Sequence, residues 1–165
     1  MRYTFSLLAA ALYLFISMNA ANAQEFDRNF EDWSVYTITQ NGKKVCYIAS
    51  SPREKKGTYK KRGEPYLLVT AVSNTVDEVS ASSGYPYKDA SEVTADIEKT
   101  TFKLFTKGEL SWAYDSEQDA KMIVAMKKGK EIVVQGISRV NTSSTDTYSL
   151  KGFTAAYDRM KKLCE

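Results

Sequence analysis

Residues 33–50 read WSVYTITQNGKKVCYIAS, and this run decides the fold. Trp33 and Val35 fall on one face of an extended chain, Tyr36 and Ile38 on the other, which is the period of two expected of a strand. Asn41 and Gly42 follow, and both tolerate the positive φ angles of a tight hairpin turn. The chain then returns over 44–50 as a second strand carrying Cys46. The spacing therefore predicts an antiparallel hairpin over 33–39 and 44–50.

Working outward, residues 24–31 are polar and read as a loose lead-in. Residues 51–65 (SPREKKGTYKKRGEP) hold six basic side chains, two glycines and two prolines, the composition of an exposed loop. Apolar or alternating runs predict strands over 66–73, 78–82, 93–97, 101–106 and 109–114, with Lys107-Gly108 as a hairpin tip. Gly84-Tyr85-Pro86-Tyr87-Lys88 reads as a stiff aromatic turn. From Ser116 the spacing becomes helical: Ser116 is placed to cap, Asp119 sits near the positive end of the helix dipole, and Ala120, Ile123, Val124 and Lys127 share a face up to the stop at Gly129. Strands follow over 131–138 and 145–150. Phe153, Ala156, Tyr157, Met160, Leu163 and Cys164 then form the apolar stripe of a last helix. Many short strands with frequent turns predict a mainly β fold, a β-sandwich-like antiparallel domain with two packed helices at about 116–128 and 153–164.

The first 23 residues belong to a different class. Arg2 precedes an apolar run over 5–18, and Ala21-Asn22-Ala23 supplies the small residues that signal peptidase accepts. The run falls short of the roughly 20 residues that span a bilayer, so a cleaved signal peptide over 1–23 is expected rather than an anchor. It leaves a single domain over 24–165, periplasmic or secreted, with no transmembrane segment. Without Arg2 the balance is 22 basic against 20 acidic residues, too even to argue for nucleic acid. An oxidising address and an even cysteine count favour a Cys46–Cys164 disulfide over two buried thiols.

Chemistry is sparse in this sequence. There is no histidine, which removes the commonest general base and transition-metal ligand together. Asp115, Glu117 and Asp119 copy three positions of a calcium loop, but Ala120 and Met126 stand where glycine and glutamate belong, so an acidic first helical turn is the better reading. No cofactor or metal is expected. A carboxylate-dependent hydrolase remains as an alternative, since any two of the 20 acids could meet in space. Arg53, Lys55, Lys56, Lys60, Lys61 and Arg62 surround Tyr59 and form the candidate binding surface, suited to an anionic envelope or host-cell component. The plain alternative is a solvated loop. Tyr85 and Tyr87 join the candidate surface because tyrosine offers contact area with a polar tip, although they serve equally well as a cover on one end of the domain.

Several runs resemble the invasion associated locus B family of exported bacterial proteins. They are Trp33-Ser34-Val35, Cys46-Tyr47-Ile48, Arg62-Gly63-Glu64-Pro65-Tyr66, Gly84-Tyr85-Pro86-Tyr87-Lys88, Trp112-Ala113, Ala125-Met126-Lys127-Lys128-Gly129, and Asp146-Thr147-Tyr148 with Gly152-Phe153. The resemblance implies a periplasmic or outer-surface protein without enzymatic activity, acting through contacts in the envelope. For founding members it implies a link to host-cell entry, so an adhesion or invasion factor is the second reading.

Overall fold

The computed structural model describes residues 24–165 apart from Lys60 and Asn74. The expected signal segment and Lys60 of the basic loop therefore lie outside the described residues. In chain order the elements are β1 (Gln24–Phe30), β2 (Trp33–Gln40), β3 (Lys43–Ser50), β4 (Glu54–Gly57), β5 (Tyr66–Ala71) and β6 (Asp77–Ser82). There follow β7 (Glu92–Ile97), β8 (Thr100–Lys107), β9 (Leu110–Trp112), α1 (Ser116–Lys128), β10 (Glu131–Ile137), β11 (Ser143–Ser149) and α2 (Phe153–Leu163). The mainly β domain with two helices is as expected from the sequence.

The opening hairpin has a two-residue turn, with Gln40 opposite Lys43 and Asn41 and Gly42 at φ of 51° and 74°. These angles need a residue without strain in the left-handed region, and asparagine and glycine meet that need. Two segments read as loops contain strands instead. Residues 24–30 pair with β2, Phe26 lying opposite Tyr36 and Phe30 opposite Trp33. Its polar side chains hid this strand, since an edge strand with one solvated face needs little apolar content. Within the basic loop, β4 pairs with β11, Lys55 opposite Asp146 and Lys56 opposite Thr145. Four exposed residues carry no hydrophobic period that a reader of the sequence could detect.

The eleven strands of the described residues join in one ladder, in the order β1-β2-β3-β5-β6-β9-β8-β7-β10-β11-β4. The link from β3 to β4 is only residues 51–53, which span at most about 14 Å. Eight ladder steps separate the same two strands, about 38 Å in a flat sheet. Trp33 on β2 also donates its indole N–H to the Ser149 carbonyl at the end of β11, 2.9 Å away. Strands far apart in the ladder order are therefore close at these two points. One continuous core results, drawing Ile48, Leu67 and Val79 from one half and Leu104, Ile132 and Tyr148 from the other.

Helix α2 covers this core from the first half. Phe153 meets Trp33 edge to face, ring centroids 4.9 Å apart, and Ala156 and Met160 are buried behind it. The helix delivers Cys164 to Cys46 of β3, and the two form a disulfide with Cα atoms 5.9 Å apart, as the sequence indicated. The bridge spans 118 residues, a closure that in the chain-entropy model stabilises the fold by about 4–5 kcal/mol. Helix α1 differs in detail from expectation. Asp115, not Ser116, is its cap, accepting from the Gln118 backbone N–H at 2.8 Å. Its buried face is Asp119, Met122, Ile123 and Met126, with Val124 exposed, a rotation caused by Asp119 docking on the sheet.

Candidate functional site

The basic segment divides into two environments. Arg53, Lys55, Lys56 and Lys61 are exposed, along the β4 edge of the ladder and the loop beside it. Three of them are ion-paired: Arg53 with Asp32, Lys55 with Glu64 at 3.0 Å, and Lys56 with Glu54 at 2.8 Å. Solvated pairs of this kind contribute about 0–1 kcal/mol each, so they leave the cations available to other anions. Lysines on an unpaired edge also discourage a second sheet from adding to it.

Arg62 belongs to the other environment. Its side chain is 3% exposed and that of its partner Asp146 is 0% exposed. Arg62 grips Asp146 with both terminal nitrogens, Nη1 to Oδ1 at 2.9 Å, and donates through Nε to the Ser83 carbonyl. The guanidinium carbon lies 4.8 Å from the Tyr59 ring centroid and 5.5 Å from that of Tyr85, so two aromatic faces enclose the cation. Burial pushes the Asp146 carboxyl upward, and the Arg62 guanidinium opposes that shift.

Tyr85 and Tyr87 complete this node and are themselves buried. Their rings meet edge to face at 5.5 Å; the Tyr85 hydroxyl bonds Ser144 at 2.6 Å, and the Tyr87 hydroxyl donates to Ser83 at 2.9 Å. Burial, outweighing the hydrogen bond to Ser83, pushes the Tyr87 hydroxyl up to about 12. Beside them Gly63 donates its N–H to the Gly84 carbonyl at 2.8 Å. Gly84 has φ of 72°, and a Cβ there would stand 2.3 Å from the Gly63 carbonyl oxygen. Arg62, Tyr85 and Tyr87 are thus corrections to the candidate surface. They hold the end of the domain together and present little area to a partner. The turn at 84–88 is the cover that the plainer reading described.

A groove that the sequence did not single out opens on another part of the sheet. Phe105 of β8 and Trp112 of β9 lie opposite each other, rings stacked at 5.5 Å, and Tyr114 leans on Phe105 at 5.6 Å. With Val72 and Val76 they line a cavity of about 690 Å³ shared with Lys107, Glu78, Asp115 and Asp119. The signal was present in Trp112 and Tyr114 at a spacing of two, facing Phe105 across the Lys107-Gly108 tip. Asp119 is 6% exposed and accepts from the Val79 backbone N–H at 2.8 Å. Burial raises its carboxyl, and the carboxylates of Glu78, Asp115 and Asp77 push the same way, while the Val79 bond opposes them. Asp115 and Asp119 are thus committed to holding backbone amides. The calcium-like spacing of residues 115–119 is a capped helical turn, and among the described residues no three acidic or cysteine side chains converge as metal donors. Among the described residues no helix is long and apolar enough to cross a membrane.

No curated protein matches the chain. The crystal structure of invasion associated protein B from Bartonella henselae superposes with a TM-score of 0.60 at 13% identity, covering 84% of this chain and 97% of that one. At that identity the likeness speaks for the fold. The family model for invasion associated locus B proteins matches residues 33–161, from the first core tryptophan to the last turn of α2. The chain belongs to the invasion associated locus B family.

Proposed function

We propose that this protein is exported through a cleaved signal peptide and works in the periplasm or at the outer surface as a non-enzymatic envelope protein, making contacts through its exposed basic edge. The observation that carries the reading is β4, an edge strand with all four residues exposed, which presents Lys55 and Lys56 next to Arg53 and Lys61. Their carboxylate partners are themselves solvated, so an anionic envelope component can replace them at little cost. The sandwich-like arrangement belongs to the same proposal. It is supported by the short β3–β4 link and the Trp33–Ser149 bond, which bring distant strands together behind that edge.

Replacing Lys55, Lys56 and Lys61 with glutamine tests the reading. The variant is expected to fold as the parent does and to lose most of its retention on phosphatidylglycerol vesicles at low salt. Retention equal to the parent's rejects the basic edge as a contact surface. Family membership also keeps a host-cell adhesion role as a second reading, which binding of the parent, but not the triple variant, to anionic host glycans would favour.

A further inference from the structure

The groove beside α1 combines two features that together point to a cation. Its floor is aromatic, with Phe105 and Tyr114 among the exposed large apolar side chains and Trp112 half-buried between neighbouring strands. Its polar lining is Glu78, Asp115, Ser116 and Asp119, with Lys107 as the single cation among the described residues that line it. Among the described residues none of these three carboxylates is in an ion pair. The nearby cations are engaged elsewhere, Lys103 with Glu92, Lys121 with Glu117 and Lys161 with Asp77. Three carboxylates against one cation leave an excess of negative charge beside these aromatic side chains, with Glu78 the one of the three that holds no backbone amide.

We infer that this groove receives a lysine or arginine side chain of a partner polypeptide. Ring faces carry a negative quadrupole that attracts such a group, and the carboxylates add direct charge complementarity. A bound cation would also relieve the mutual repulsion that Glu78 and Asp115 exert on Asp119. The volume of about 690 Å³ lies within the range of clefts that take small ligands or side chains of a peptide. A second copy of the chain would need an interface of roughly 800 Å² per partner, which is a different scale of surface. A neutral glycan could stack on the same rings, but it would leave the charge unbalanced.

The inference rests on the reading of this molecule as a contact protein, yet it uses residues apart from the basic edge. Peptide binding can therefore fail while vesicle binding holds, and the reverse. The chain has two tryptophans, and Trp33 is fully buried, so changes in emission on titration report on Trp112. The exported protein is titrated with a hexapeptide alternating arginine and glycine, with its glutamate–glycine counterpart, and with chitotriose. The arginine peptide is expected to bind saturably. Glu78→Gln and Tyr114→Ala are expected to weaken it at least fivefold, with circular dichroism melts close to the parent's. Glu78 makes no ion pair and Tyr114 is half exposed, so both variants should fold; if one melts early, the other decides. The proposal is overturned if the arginine peptide fails to bind at millimolar concentration, or binds both variants as it binds the parent. It is overturned equally if the glutamate peptide or chitotriose binds as well as the arginine peptide, or if sedimentation shows copies of the chain covering the groove.

Discussion

Arg62 and Lys55 lie seven residues apart in one basic segment, and each is paired with a carboxylate, yet the two pairs live under opposite physics. The Arg62–Asp146 pair is enclosed, with side chains 3% and 0% exposed; the Lys55–Glu64 pair is open, at 41% and 87%. Between them stands Arg159–Asp27, which ties α2 to β1 at 31% and 17%. What separates them is solvent. Water competes for the open pair and screens it, whereas the enclosed pair has surrendered its hydration and depends on its partner entirely. Composition alone gives six equivalent cations. Topology makes one of them a structural bolt.

The sharpest break of this contrast is Asp146→Ala. It leaves Arg62 charged and buried between Tyr59 and Tyr85 without its carboxylate, and the expected loss is about 3–5 kcal/mol in chemical denaturation. Replacing both members, Arg62→Met with Asp146→Leu, should recover most of that loss, because no charge is then stranded. A double variant as unstable as the single one would show that the node is held by hydrogen bonds to Ser83 rather than by charge pairing.

Gly84→Ala attacks the same node through the backbone. Alanine at φ of 72° costs about 1–3 kcal/mol in strain, and its Cβ would also displace the Gly63 carbonyl. A fall in stability from thermal melts confined to a few tenths of a kcal/mol would mean that the Gly63–Gly84 contact opens without consequence for Arg62.

Legibility in the sequence followed the same division. The β2–β3 hairpin, the α2 stripe and the Cys46–Cys164 bridge were readable because apolar period, turn chemistry and cysteine count all report burial. The β1 and β4 strands were hidden because their pairing uses backbone groups and leaves polar side chains outside. Arg62 was misplaced because nothing local distinguishes it from Lys61. Its burial depends on Asp146, 84 residues away, and on Tyr85 arriving from a third segment. The quoted runs around Arg62, Gly84 and Asp146 carry the family resemblance, and they converge on this one node. The acidic aromatic groove was legible only in part, as Trp112 and Tyr114 at a spacing of two, with its carboxylates drawn from β6, α1 and the residue that caps α1.

Asp27 supplies the intermediate test. The hydrogen bond from Arg159 holds its carboxyl down at about 2, against a burial penalty and with further help from Arg28. A carboxyl lowered in the folded state favours its charged form there. The stabilisation is therefore present above the ordinary value of 3.8 and is lost as pH falls through about 2. Asp27→Asn should melt lower than the parent at pH 6, and the difference should shrink between pH 4 and 2. A difference that stays constant with pH would assign the contribution of Asp27 to packing rather than charge.

The smallest effect belongs to Lys55. Its ammonium lies 3.0 Å from a Glu64 carboxylate that is mostly in water, and its backbone pairs with Asp146 whatever its side chain. Lys55→Gln removes the open ion pair while keeping the β4 hydrogen bonds, so stability should change by less than about 0.5 kcal/mol. Charge at Lys55 also favours the ionised form of Asp146 across the strand, behind the stronger effects of burial and Arg62. Combining Lys55→Gln with Asp146→Ala therefore measures whether the two environments communicate. Coupling within about 0.5 kcal/mol keeps the exposed edge free to exchange partners without disturbing the fold. Coupling of 1 kcal/mol or more would join the edge to the node, and an anion bound at β4 would then act on the buried pair as well.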